Sequence, residues 1–204
     1  MYIPATNQFT DEAGILEFMR RFSFATLITA KDNFPTATHL PFIVGREATH
    51  VTLTAHFAKA NDHWKDIENH TVLIIFSEPH AYISPKHYDK LQNVPTWNYV
   101  SVHAYGKGEI ISDTEEVRSV LERTIDTYDP SYKEQWHDLP EDYKRNMSKG
   151  IVVFKVVVTD IQAKKKLSQN KSDREQQTIV TALAKSDQTH EQLIAHYMEQ
   201  LLAK

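Results

Sequence analysis

A chain of 204 residues with 41% hydrophobic and 25% charged side chains can bury a sizeable core, and no apolar run in it approaches the roughly 20 residues that span a bilayer. It has no cysteine, which excludes disulfides, thiolate zinc sites and cysteine nucleophiles. A formal charge of -4 gives no overall field favouring nucleic acid, so only a local patch could meet phosphates.

The first residues, Met1 to Asn7, lack the basic start and apolar middle of a secretion signal, and a cytoplasmic location is expected. Asp11 and Glu12 stand where a helix favours acids, ahead of Ile15, Phe18, Met19 and Phe22 at helical spacing. Ser23 to Ala30 is rich in strand formers, Lys31-Asp32-Asn33-Phe34-Pro35 reads as a turn, and Thr36 to Val44 is extended again, which together predict a hairpin. Residues His50 to His56 alternate, with Val51, Leu53 and Ala55 on one face and His50, Thr52, Thr54 and His56 on the other. Asn61 is placed to cap a short helix over 62–67, and 71–76 is a continuous apolar run like a buried strand.

Ala81 to Ser84 precede a loop from Pro85 to Pro95, and one long strand is expected from Thr96 to Ile111. Ser112 and Glu115 have capping-box spacing, before a helix with Val117, Val120, Leu121 and Ile125 on one side. The polar stretch 126–138 reads as loop or partial helix, Pro140 suits a first helical position, and Gly150 a terminus. Ile151 to Thr159 is another buried strand, running into Ile161 to Leu167. Many strands with few helices favour a barrel over a doubly wound sheet.

Two tail helices are expected, since Ser172 with Glu175 and Thr189 with Gln192 both have capping-box spacing. The pair is not a DNA reader, whose second helix must offer polar and basic side chains to the major groove. Here that helix carries Leu193, Ile194, Tyr197, Met198, Leu201 and Leu202, with three acids against one lysine from Asp187 to Lys204. Packing against the domain or a dimer mate is the expectation.

Four segments bear on a site. The long strand carries Trp97, Asn98 and His103 among apolar residues, a surface that suits a planar polar ligand or, equally, an edge strand with one solvated face. Pro41, within Thr38-His39-Leu40-Pro41-Phe42, removes a ladder donor and marks an edge or a bulge. Lys59 stands between His56 and the Asn61 cap, where a helix N-terminus welcomes a phosphate, although lysines at such places are commonly solvated surface. Lys164-Lys165-Lys166-Leu167-Ser168-Gln169-Asn170-Lys171 reads as a solvated loop or as a phosphate contact with directional donors. The histidines show no HExxH and no pair at facing helical spacing, so no metal site is expected.

Seven segments in order, Met1-Tyr2-Ile3-Pro4, Phe24-Ala25-Thr26-Leu27, Ala37-Thr38-His39-Leu40-Pro41-Phe42, Ala55-His56 with Lys59-Ala60-Asn61, Ala81-Tyr82-Ile83-Ser84-Pro85, Val94-Pro95-Thr96-Trp97-Asn98-Tyr99 and Lys166-Leu167-Ser168-Gln169-Asn170, resemble the PaiB-type FMN-binding negative transcriptional regulators. The resemblance runs from residue 1 to about 180. It implies an α+β, mainly β fold: a split β-barrel over 1–167 with peripheral helices, and a C-terminal loop and helical pair over 168–204. It also implies a homodimer with a flavin site between subunits, and repression of sporulation and protease genes. Carried onto this chain, Thr38, His39 and Leu40 border the flavin ring, His56, Lys59 and Asn61 face the phosphate, Trp97 and Asn98 close the site, and Lys166, Ser168 and Gln169 approach from the C-terminal loop. The wider group often places Arg and Ser on the phosphate; His, Lys and Asn here imply that FMN is held weakly. The resemblance also leaves a route to DNA without a recognition helix.

Two other readings stay open. One is a flavin-dependent oxidoreductase acting on a small metabolite or porphyrin, with His39 or His103 handling protons. The other is a barrel that has lost its cofactor and acts through a protein partner.

Overall fold

The structure, a computed structural model, describes residues 1–47 and 49–203; Lys204, the last residue of the expected extension, lies outside them. Helix α1 (Glu12–Arg21) buries Ile15, Phe18 and Met19, with Glu12 in its first turn and Arg20 and Arg21 in its last, the charge order that suits the helix dipole. The hairpin follows: β1 (Phe24–Lys31) and β2 (Phe34–Pro41) pair antiparallel from Phe24↔Pro41 to Lys31↔Phe34. Its predicted five-residue turn shrinks to Asp32 and Asn33, whose φ of 50° and 62° give the left-handed pair that matches strand twist.

The extended run predicted for Thr36 to Val44 breaks at Phe42, beyond which β3 (Ile43–Glu47) begins. The Phe42 N–H donates to Ser23 O (2.9 Å) and the Tyr128 hydroxyl donates to Phe42 O (3.1 Å), so both backbone groups of the corner are satisfied. Next come β4 (His50–Ala58), β5 (Thr71–Phe76), β6 (His80–Ile83) and β7 (Thr96–Ile111), the last two separated by the predicted loop. The helix predicted over 62–67 is a single 3-10 turn, Asp62–Lys65, capped by Asn61 as expected.

Helices α2 (Thr114–Tyr128), α3 (Lys133–Asp138) and α4 (Glu141–Ser148) lead to β8 (Ile151–Lys166), and α5 (Asp173–Ala184) and α6 (Thr189–Leu202) complete the chain. Ser172 and Glu175 form the reciprocal capping box. The three other helix starts slip by one residue. Asp113, not Ser112, accepts from the Glu116 N–H (2.9 Å), Pro140 precedes α4 as its cap, and Gln188 rather than Thr189 caps α6. A carboxylate beside a hydroxyl outcompetes it for the charge-assisted bond at Asp113.

Two compact units divide the chain, and β7 and β8 run through both: residues 1–15, 77–102 and 162–204 form the first, 16–76 and 103–161 the second. The strand path is β2-β1-β5-β7-β8-β4-β3, with β6 added on β7. β2 and β3 stand at opposite ends of this path, yet only Phe42 separates them in sequence, so the sheet of the second unit has to curl until its ends approach. Pro41 therefore lies on an edge strand, one of the two placements its missing donor predicts.

Inside the second unit, Phe42 meets Phe76 and Phe154 edge-on at 6.1 and 6.3 Å, and Phe57 stacks on Phe154 at 4.8 Å. Each such pair adds about 0.5–1.5 kcal/mol beyond area burial. β4 is covered on both faces, since Thr52 and Thr54 are buried as well as Val51, Leu53 and Ala55. In the first unit β6 pairs with the start of β7 from His80↔Tyr99 to Ile83↔Thr96, and α6 packs on α5 and β6 through buried Ile194, Ala195, Tyr197 and Met198.

Candidate functional site

Six of the predicted site residues lie in the second unit and five in the first. In the second, the organising group is one the sequence reading passed over, His63. Its Nε2 lies 2.9 Å from Thr29 Oγ1 and its Nδ1 2.8 Å from Thr38 Oγ1. Asn61 closes the network: its Nδ2 donates to Thr38 Oγ1 (3.2 Å), and its Oδ1 accepts from the His63 N–H (3.2 Å). His63 is buried, which depresses its pKa, with Asp66 opposing, so the ring is neutral at pH 7.

The other four are arranged differently. His39 is exposed and its ring stacks against Phe24 at 6.3 Å, while Leu40 is buried. His56 is half-buried on β4, and burial lowers its pKa. Lys59 is exposed; its N–H donates to Gly150 O (2.8 Å) and its carbonyl accepts from Trp64 Nε1 (3.2 Å). It lines a cleft of about 480 Å³ with Trp64, Arg145, Lys149 and an apolar floor that includes Ile111 and Val153, and no carboxylate stands among the lining residues. The helix-terminus argument for an anion at Lys59 does not hold, because one 3-10 turn has little dipole and Asn61 already takes the His63 N–H.

In the first unit Asn98 is fully buried; its Nδ2 donates to Ser168 Oγ (3.0 Å) and contacts Met198 Sδ (3.4 Å). Ser168 has φ of 61°, a left-handed conformation that costs energy in a residue other than glycine and that Asn98 helps to fix. Lys166 Nζ donates to Trp97 O (2.7 Å) and to Thr96 Oγ1, and burial, then Lys164, lowers its pKa. Gln169 Oε1 accepts from the Leu167 N–H (2.7 Å). Asn98, Lys166, Ser168 and Gln169 share a cleft of about 370 Å³ with Tyr88, Asn93 and Lys171. Trp97 is half-exposed beside Tyr82 (5.9 Å) and His80 (5.7 Å), outside the lining of that cleft.

The lysine run is not a solvated loop. Lys164 is buried over the rings of Tyr2 and Tyr99, Lys165 lies 3.7 Å from the centre of Phe9, and Lys171 lies 3.8 Å from the centre of Tyr88. Cations packed on aromatic faces hold a loop in place and are poorly exposed for a nucleic-acid backbone. Among residues raised for proton chemistry, His103 has a buried Nδ1 with no hydrogen-bond partner, and burial lowers its pKa.

The fold has relatives among solved structures. The FAD and heme binding protein from Mycobacterium smegmatis superposes with a TM-score of 0.61 at 14% identity, over 78% of this chain and 73% of that one. The flavocytochrome Anf3 from Azotobacter vinelandii gives 0.59 at 18% identity, over 76% and 67%. Strand order and these likenesses define an α+β, mainly β protein of the split-barrel class, as the sequence resemblance implied.

Sequence similarity is closer. The chain is 36% identical over 207 residues to "Protease synthase and sporulation protein PAI 2" of Bacillus subtilis, covering 100% of this chain and 99% of that protein. An uncharacterised protein of Aspergillus fumigatus is 27% identical over 238 residues, 91% of each chain. Residues 1–160 match the family described as "Putative FMN-binding domain", and the chain belongs to this family, in its PaiB-type branch.

Proposed function

We propose that this protein is a homodimeric, FMN-binding negative regulator of transcription acting on sporulation and protease genes. The observation that carries the reading is the end-to-end similarity to PAI 2, a protein named for protease synthesis and sporulation. In this reading Thr38, His39 and Leu40 border the flavin ring, and His56, Lys59 and Asn61 face its phosphate. Trp97 closes the site, with Asn98 acting through its bond to Ser168, and Lys166, Ser168 and Gln169 approach from the C-terminal loop of the partner protomer.

The residues present fit such a ligand. Lys59 lines a cleft whose lining has three cations and no acid, matching a phosphate monoester, and the amides and hydroxyl around Ser168 match the imide and carbonyl edge of a flavin. FMN, when bound, supplies a ring that can take up or give electrons. This chain's contribution is to hold the ring and to shift between conformations of different ligand affinity. The packed lysines and the acidic tail helix leave DNA contact to a surface other than these two. Salt-sensitive binding to a sporulation or protease promoter, altered by FMN, supports the regulator; promoter binding indifferent to FMN overturns the ligand's role.

A flavin-dependent oxidoreductase is the second reading, with His103, whose buried Nδ1 has no hydrogen-bond partner, as the residue raised for proton transfer. NAD(P)H consumption with added FMN, lost in His103→Phe, supports it; no turnover removes it.

A further inference from the structure

We propose that the first-unit cleft walled by Tyr88, Asn93 and Lys171 is a binding site for a small soluble molecule bearing an oxyanion, a phosphate or a carboxylate. None of these three residues belongs to the flavin reading, but Lys166, Ser168 and Gln169 of that reading line the same cleft, so the inference adds an anion subsite to it.

Tyr88 lines the cleft and is 9% exposed, and its hydroxyl is buried with no hydrogen-bond partner. A buried phenol without an acceptor is uncommon in a folded protein and asks for a group that supplies one. Burial, then the nearby Glu175, raises the Tyr88 pKa, so the hydroxyl stays protonated and acts as a donor.

Lys171 Nζ lies over the Tyr88 ring and donates to Asn93 Oδ1 (2.9 Å). Asn93 is held in that orientation because its Nδ2 donates to Lys90 O (2.9 Å). An ammonium has three donors; the amide takes one, the ring face attracts the charge, and donor capacity remains for a ligand. Lys166 adds a second cation to the lining, and no carboxylate stands among the lining residues. Glu175, whose charge reaches Tyr88, accepts from the Asp89 and Ser172 N–H groups (3.1 and 3.2 Å) and from the Ser172 hydroxyl. Two lysines and an unused phenolic donor in one cleft therefore select an anion. The volume of about 370 Å³ leaves room for the body of a small molecule behind its charged group.

The test is calorimetric titration of the full chain, without FMN and in low-chloride buffer, with inorganic phosphate in one arm and acetate in the other. At least one anion binds the wild-type chain. Lys171→Met weakens it by about tenfold or more, as expected for a charge-assisted contact, Tyr88→Phe weakens it several-fold, and exposed Lys185→Ala leaves it unchanged. Preference for phosphate assigns a phosphoryl group, preference for acetate a carboxylate. Tyr88→Phe removes a single oxygen and keeps the inference testable should Lys171→Met fail to fold. No binding in either arm, or binding unaltered in both variants, overturns it. Because FMN is absent throughout, the titration reads the anion site by itself, and flavin binding in the same cleft is read by its own titration.

Discussion

Asn98 and Ser168, 70 residues apart in sequence, meet through an Nδ2 to Oγ hydrogen bond of 3.0 Å in the interior of the first unit. The bond joins the polar centre of β7 to a loop residue with φ of 61°. Ser168→Ala keeps the unfavourable backbone conformation and leaves a buried amide short of a partner. The expected loss is about 1–3 kcal/mol, read from urea unfolding. A loss within error would mean that the amide finds a replacement partner.

His63 gives the protein an acid-sensitive joint. Its folded pKa is below 6.5, so between that value and 6.5 the unfolded chain binds a proton that the folded chain refuses, and stability falls as pH drops through this window. His56, His87 and His103 are shifted in the same direction and add to the slope. His63→Gln should flatten the fall in thermal midpoint between pH 7 and 5 while lowering stability at pH 7. An unchanged slope would assign the acid sensitivity to the other three histidines.

Strands were the most legible part of this sequence, and tertiary polar networks the least. Thr96 to Ile111 and 71–76 declared their bounds because turn residues flank unbroken runs of strand formers. Caps slipped by one place where two acceptors were adjacent, as at Ser112 and Asp113. The corner at Phe42 was hidden because its cause, the Ser23 and Tyr128 bonds, lies far along the chain. His63 and Tyr88 were missed for the same reason. Each sits in an unremarkable polar stretch, and only the partners brought by folding, or the lack of one, give it meaning. The lysine run misled in its solvated reading, because sequence does not show the rings on which the lysines lie.

Gly108 tests the packing of β7 in the second unit. Its N–H donates to Ile67 O (3.1 Å), and a Cβ there would stand 2.8 Å from the Ile67 Cβ and 2.9 Å from its carbonyl oxygen. Backbone and a β-branched side chain cannot easily yield, so Gly108→Ala should cost about 1–3 kcal/mol in urea unfolding. A neutral result would show that the strand shifts freely at this point.

Lys59→Ala should weaken FMN binding by about tenfold with the unfolding midpoint unchanged, because the side chain is exposed and the N–H to Gly150 O survives in alanine. Unaltered affinity would remove Lys59 from the phosphate. Light scattering at micromolar concentration should give twice the 23.6 kDa chain mass; a monomer would contradict a site shared between protomers.

The most direct measurement is a fluorescence titration of FMN with the purified protein, read together with the flavin absorbance bands. The account predicts quenching or a band shift that saturates at one FMN per chain, with weak affinity, in the range of about 1–100 μM. Flavin signals identical to those of free FMN throughout that range would contradict it.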